Sequence, residues 1–233
     1  MEKFVAIVLS AGTGSRMKSD IPKQYMDLNG KPVIYYSLMA FQDSDVESIV
    51  LVAGKDDIEY CRKEIVEKYG ITKVKAIVAG GAERYDSVFE GLKAAGNCDY
   101  VMIHDGARPV LDANIVRRAW QGVVEHRACV VGMPVKDTIK IVNEEGQAVS
   151  TPDRKTLWQI QTPQVFEYEL IYKAYNQVIS EMRTGKNINI TDDAMIIEYA
   201  SDVKVHMVEG SYTNIKITTP EDISVAEIFL KKK

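Results

Sequence analysis

Short apolar runs alternate with longer amphipathic stretches along most of this chain. Phe4-Val5-Ala6-Ile7-Val8-Leu9 is an unbroken apolar run, the pattern of a strand buried on both faces of a parallel sheet. Val33, Ile34, Ser37, Leu38 and Phe41 recur at helical spacing behind Pro32, a residue that suits the first position of a helix. Residues 47–53 read as a second strand closed by Gly54, and 56–69 as a helix ending at Gly70. Strands at 74–78, 100–104 and 129–133 then alternate with helices at 83–95 and 112–126. Strands separated by helices of about 10–15 residues predict right-handed βαβ units. The expected class is α/β: a single Rossmann-like domain over 1–233, with a mostly parallel central sheet flanked by helices.

The rhythm lapses after Val135. Residues 138–142 alternate like an exposed strand, Asn143-Glu144-Glu145-Gly146 reads as a hairpin turn, and 148–151 returns. This predicts a protruding β-hairpin arm over about 136–154. A hairpin with so little core is marginal unless it packs on something, so it is either an arm reaching a second subunit or a solvated flap. Gln161-Thr162-Pro163-Gln164 reads as a rigid turn offering the Thr162 hydroxyl. A helix over 168–182 follows, with its tyrosines read as packing. Thr191-Asp192-Asp193-Ala194 looks like a helix N-cap with acidic residues in the first turn. Strands at 203–208 and 214–217 precede a last helix opened by Pro220.

Composition narrows the class of function. At 46% hydrophobic and 27% charged the chain is globular, and a net charge of −4 gives no general field for nucleic acid or an anionic membrane. A polyanionic ligand therefore needs cations concentrated locally, which singles out Arg16, Lys23, Arg84, Arg108, Arg154 and Lys216. Cys61, Cys98 and Cys129 are too widely spaced for a zinc site and fit a reducing compartment. With no leader pattern and no long apolar run, a soluble cytoplasmic protein is expected.

Small and charged clusters fall where the strands end: SAGTGSR, AGGAER, HDGARP and PVKDT. Ligands of parallel sheets bind beyond those carboxyl ends. In Ser10-Ala11-Gly12-Thr13-Gly14 the glycines let backbone N–H groups approach an anion, and Arg16 and Lys23 follow. The stretch is a triphosphate cradle or an ordinary βα turn. It lacks the Gly-Lys-Ser/Thr of a P-loop, and Met17 stands where a dinucleotide fingerprint wants its third small residue. Gly80-Gly81 before a helix can read a base edge with Ser87, or simply form a capped turn. Arg84 is functional or paired with Asp86 or Glu83. Asp105 at a strand end is a natural magnesium contact beside a triphosphate, with Arg108 on a second phosphate, unless the two form a structural pair. His104 reads as a packed or hydrogen-bonded residue rather than a base. Lys216, between apolar neighbours, must snorkel or find an anion, either phosphate or carboxylate.

The motifs LSAGTGSRM, PKQ, GGAERYDSV, HDGARP, PVKDTIK, RKTLWQIQTPQ, TDDA and NIKITTPEDI, in this order over nearly the whole chain, resemble the 2-C-methyl-D-erythritol 4-phosphate cytidylyltransferases of the sugar-phosphate nucleotidyltransferase superfamily. The resemblance implies transfer of a cytidylyl group from CTP to 2-C-methyl-D-erythritol 4-phosphate with release of pyrophosphate, in the non-mevalonate route to isoprenoids. It implies that Ser10, Ala11, Gly12 and Gly14 line ribose and phosphates, and that Gly80, Gly81 and Ser87 contact cytosine. Arg16, Lys23 and Lys216 would be catalytic, and Asp105 would meet Mg²⁺ or another divalent cation. Asp105, Arg108, Thr138, Arg154 and Thr162 would serve the polyol phosphate, Arg154 arriving from a partner across a homodimer built by the arm. Ser10, Gly106 and Ala82 depart from the family pattern, each as a small residue expected to leave room for ligand. Rival readings are a ribitol-5-phosphate cytidylyltransferase of the same fold, an NAD-binding oxidoreductase and a non-catalytic nucleotide-binding protein.

Overall fold

The computed structural model describes residues 2–12 and 21–232. Among the described residues the strands are Phe4–Ser10 (β1), Asp27–Leu28 (β2), Lys31–Pro32 (β3), Ser48–Ala53 (β4), Val74–Ala79 (β5), Tyr100–Asp105 (β6), Ala128–Pro134 (β7), Ile141–Val142 (β8), Ala148–Ser150 (β9), Trp158–Glu167 (β10) and His206–Glu209 (β11). The α-helices are Val33–Gln42 (α1), Ile58–Tyr60 (α2), Arg84–Ala95 (α3), Ala113–His126 (α4), Tyr168–Arg183 (α5), Asp193–Ala200 (α6) and Glu221–Leu230 (α7).

The pleat of β1 shows how the layers arise. Phe4, Ala6 and Val8 face a core shared with Ile34 and Phe41 of α1 and Ile115 and Ala119 of α4. Val5 and Ile7 face the opposite core, with Val88 and Leu92 of α3, Ile171 and Tyr175 of α5, and Ile197 of α6. Both faces of the strand are covered, which is why its sequence is continuously apolar. Among the described residues the main sheet has seven strands in the order β11-β7-β10-β6-β1-β4-β5. All neighbours run parallel except β10, which lies antiparallel between β6 and β7. The α/β class and the mostly parallel sheet are as expected.

The connection from β1 to β4 carries α1 over one face, whereas α3, between β5 and β6, covers the other. The chain thus reverses its direction of winding beside β1. Such a switch point opens a crevice beyond the carboxyl ends of β1 and β6. Leu9 pairs with Asp105 in the ladder, so the end of β1 and the Asp105 carboxylate meet there. A third cluster, Leu28, Val33, Val110, Ile217 and Ala226, packs α7 and the β2–β3 hairpin beside the Lys216 segment.

Local differences from the sequence reading have physical causes. Residues 55–67 wind as a 3-10 turn (Lys55–Asp57), a single α-turn and a π-helical stretch (Cys61–Glu67). Apolar spacing marks Cys61 and Ile65 as buried but carries no sign of the wider winding. Gln161-Thr162-Pro163-Gln164 is not a turn. It lies within β10, whose register against β7 shifts between Ile160 and Gln164, and the Pro marks that irregularity. The segment 214–217 joins no ladder among the described residues; its Ile217 N–H donates to Ala107 O at 2.8 Å. The ladder of the exposed hairpin pairs Ile141 with Ser150 and Val142 with Ala148, so Thr138 and Lys140 precede it, although Lys140 Nζ still donates across to Thr151 Oγ1 at 2.7 Å. No described helix is long and apolar enough to cross a membrane.

Candidate active site

The residues after β1 open a cleft of about 200 Å³, with Ser10, Ala11 and Gly12 on one wall and Lys23 beside them. Gln24, almost fully buried, holds this loop: its Nε2 donates to Ser10 O at 2.8 Å and to Gly12 O at 3.1 Å. The opposite wall is the turn before α3, with Gly81 and Ala82, and the first turn of that helix, with Arg84 and Ser87. Gly80 is required by close approach, since a Cβ there would lie 2.4 Å from Ala11 Cβ and 2.6 Å from Ser87 Oγ. Ser87 Oγ accepts from Gly81 N–H at 3.1 Å and donates to Glu83 O at 3.2 Å, while Glu83 and Asp86 form a capping box. Gly14 and Arg16 lie outside the described residues.

Asp105 closes the floor at the end of β6. Its Oδ2 takes Lys216 Nζ at 2.7 Å, its Oδ1 takes Arg84 Nε at 3.3 Å, and Arg108 Nε stands 3.9 Å from Oδ2. Burial alone would disfavour its charge. Arg84, Lys216 and Arg108 outweigh that and hold the carboxyl well below the usual carboxylate range. Lys216 therefore meets the carboxylate of the two anions open to it. Gly106 needs correction: a Cβ there would lie 2.3 Å from Ile34 Cδ1 and 2.7 Å from Leu9 O. Its missing side chain lets α1 and β1 pack closely and makes no room for ligand.

Behind this carboxylate, Thr162 Oγ1 accepts from Asp105 N–H at 3.1 Å and pairs with His104 Nδ1 at 2.9 Å. Burial pushes His104 down to about 3, so the ring is neutral, packed against Phe41 and hydrogen-bonded to Thr162. Arg108 is buried, donates from Nη1 to Asn214 O at 2.8 Å, and its Nε has no hydrogen-bond partner among the described residues.

Arg84 pairs with neither Glu83 nor Asp86. Its guanidinium forks onto Asp193, Nη1 to Oδ1 at 2.9 Å and Nη2 to Oδ2 at 2.8 Å, and reaches Asp105 through Nε. Sequence reasoning missed this pair, which spans 109 residues. One signal existed: of two consecutive aspartates, only Asp192 caps α6, accepting from Met195 N–H, which leaves Asp193 unexplained.

A second cleft of about 270 Å³ lies on the other side of the same three residues. Arg84, Asp105 and Lys216 line both, and Arg108, Thr162 and Gln164 line only the second. Five of the residues singled out for the nucleotide (Ser10, Ala11, Gly12, Gly81 and Ser87) and Lys23 thus gather in one cleft, and three for the polyol phosphate (Asp105, Arg108, Thr162) in its neighbour. Gly80 stands behind the first, against Ala11 and Ser87. Thr138 and Arg154 do not join either: both are exposed on the arm, where Arg154 Nη1 donates to Lys136 O at 2.8 Å. No group of three or more His, Cys, Asp or Glu capable of holding a metal occurs among the described residues.

The sequence profile of the 2-C-methyl-D-erythritol 4-phosphate cytidylyltransferases (IspD) matches residues 4–232. A protein of that name from Lachnospira eligens is 52% identical over 227 residues, covering 97% of this chain and 98% of the relative. Another, from Lachnoclostridium phytofermentans, is 49% identical over 232 residues, covering 100% and 98%. The crystal structure of 4-diphosphocytidyl-2C-methyl-D-erythritol synthase from Anaerococcus prevotii superposes with a TM-score of 0.85 at 34% identity, over 99% of this chain and 96% of the other. Two adjoining clefts that share a cationic wall, on a fold matched from end to end, place the chain in the 2-C-methyl-D-erythritol 4-phosphate cytidylyltransferase family.

Proposed function

We propose that this enzyme joins CTP to 2-C-methyl-D-erythritol 4-phosphate, giving CDP-methylerythritol and pyrophosphate for isoprenoid synthesis. The observation that carries the reading is the shared wall. A protein of net charge −4 concentrates Arg84 and Lys216 on the Asp105 carboxylate between two clefts, with Arg108 beside it in the second, where two anionic substrates would have to meet.

The nucleotide occupies the first cleft, with its phosphates on the backbone of Ser10–Gly14 and its base against Gly80, Gly81 and Ser87. The polyol phosphate occupies the second, near Arg108 and Thr162. A phosphate oxygen of the polyol phosphate attacks the α-phosphorus of CTP in line, and the bond to the bridging oxygen of the β-phosphate breaks. No covalent intermediate with the protein is needed. The protein's work is to position two anions and neutralise the charge that builds as they meet, which assigns Arg16, Lys23 and Lys216 to the triphosphate.

Asp105 suits a magnesium ion that arrives with its nucleotide, because such ions are held by one or two carboxylates together with substrate phosphates rather than by a full protein cage. When bound, the ion would supply further charge neutralisation on the departing pyrophosphate. The exposed apolar side chains of the arm, Ile139, Ile141, Val142 and Val149, support its use as a homodimer contact that carries Thr138 and Arg154 to a partner's second cleft. Three buried, unpaired cysteines suit a cytoplasmic setting.

Pyrophosphate release tests the reading, with CTP and magnesium offered alongside 2-C-methyl-D-erythritol 4-phosphate or ribitol 5-phosphate. Turnover with the first alone is expected. Turnover with the second alone would overturn the substrate, and silence with both in folded protein would overturn the activity.

A further inference from the structure

The least economical feature of this fold, if stability were its only purpose, is the Asp193–Arg84 ion pair. Asp193 is wholly buried, and removing such charges from water is strongly unfavourable unless they are paired. Three elements converge to compensate. Both carboxylate oxygens of Asp193 take the Arg84 fork, and Oδ1 also accepts from Tyr175 Oη at 2.6 Å. Tyr175 is itself fully buried on α5, its ring stacked on Phe89 at 6.1 Å. Gln164 of β10 then fixes the start of α6: its Oε1 accepts from Asp193 N–H at 2.9 Å and Ala194 N–H at 3.0 Å, and its Nε2 donates to Asp192 at 3.0 Å.

All this order is spent on one guanidinium. Its Nη edge is locked to the buried anchor, and its Nε edge points to Asp105 Oδ1, the oxygen opposite the one Lys216 holds. Arg84 is only partly exposed, and it lines both clefts. A planar fork held on two edges fixes direction as well as distance, which a lone flexible cation cannot do.

We propose that Asp193 and Tyr175 are positioning residues of the transfer reaction: acting through Arg84, they set the Asp105 carboxylate between the two substrates. The proposal rests on the reaction inferred above and names residues to which that reading gives no part. Neither residue lines the first cleft or the second.

The test has a structural arm and a kinetic arm. In the first, the arginine Nε–H resonances are recorded by NMR, with Arg84 assigned through its loss in Arg84→Lys. A slowly exchanging Arg84 Nε–H is expected in the wild-type protein, with faster exchange in Tyr175→Phe and Asp193→Asn. An Arg84 signal unchanged in both variants overturns the anchor whether or not the protein turns over. In the second arm, Asp193→Asn is expected to lower kcat/KM by about 10- to 100-fold, the scale of a small misplacement at the reacting centre. Tyr175→Phe, which keeps the ring and covers the case in which Asp193→Asn fails to fold, should cost roughly tenfold. The loss should fall mainly on kcat. In an Arg84→Lys background, Tyr175→Phe should then change kcat/KM by less than about twofold, because its route is already cut. Full additivity there, with an unchanged melting temperature, would overturn action through Arg84. Wild-type silence in the kinetic arm would overturn the reaction, and the positioning role with it, while the NMR arm still decides whether the anchor exists.

Discussion

Lys216 Nζ lies 2.7 Å from Asp105 Oδ2, joining two residues 111 positions apart at the seam between the clefts. The lysine is about one-third exposed, whereas the carboxylate is buried. Under the proposed reaction an incoming phosphate would compete with Asp105 for this cation, and the exposed side of the lysine leaves it open to that exchange. Lys216→Ala should lower kcat/KM for pyrophosphate release by about 3 kcal/mol, roughly a hundredfold, the scale of losing one preorganised donor. Stability should change by no more than about 1 kcal/mol, because Arg84 still compensates Asp105 and the lysine is partly solvated. A kcat/KM within threefold of wild type would exclude the catalytic role.

Arg154 tests the arm. Among the described residues its guanidinium donates to the Lys136 carbonyl, and the side chain is exposed. Arg154→Ala should raise the KM for the polyol phosphate at least about tenfold while moving that for CTP little, as expected for loss of one charge-assisted contact. Mixed dimers of Arg154→Ala with Lys23→Ala should regain activity through one intact composite site. No recovery in mixed dimers shown to form would refute delivery in trans.

Gln24 bridges two carbonyls of the loop after β1 from a buried position. Replacing its donor with an acceptor, as in Gln24→Glu, sets like dipoles against each other. A loss of about 1–3 kcal/mol in stability is expected from the unsatisfied groups, read by urea unfolding. The KM for CTP should rise more than that for the polyol phosphate, because the affected loop borders only the first cleft. Equal rises would separate Gln24 from the nucleotide.

The cysteines give a pH-dependent check. Burial pushes Cys98 and Cys129 up to about 12 and raises Cys61 as well. Unfolded thiols lose their protons first, so these groups lower stability as pH climbs from about 9 towards 12. At pH 8 the native protein should react with a disulfide reagent far more slowly than the urea-unfolded chain, which exposes three thiols. Rapid titration of even one thiol in native protein would contradict the buried setting.

The strand and helix rhythm was legible because each layer writes its own period. β1 is apolar throughout since both faces are covered, and α4 carries its capping Asp112 in plain sight. The clusters at strand ends announced the first cleft for the same reason. What stayed hidden depends on contacts between distant positions. Nothing near Arg84 in sequence indicates Asp193, and Tyr175 looks like any other aromatic in an amphipathic helix until its hydroxyl is placed. Pro163 makes the middle of β10 look like a turn in sequence, because an irregular strand and a turn use the same residues. Gly106 was credited to ligand space when its tight neighbours are Ile34 and Leu9.

The chain leaves the sheet at Pro134 and re-enters at Trp158, residues that face each other across the β7–β10 ladder, and Val135 N–H donates to Leu157 O at 3.0 Å where the two feet meet. Everything between is, in topological terms, one long hairpin loop whose ends are already closed by the sheet. The entropy of closing such a loop grows only slowly with its length, by about 0.6 kcal/mol per doubling. Insertions, deletions or wholesale exchange of residues 136–156 can therefore proceed without disturbing the strands that hold Asp105. In these terms residues 136–156 form a segment replaceable at fixed anchor points, whose length and sequence can change while the sheet stays in place.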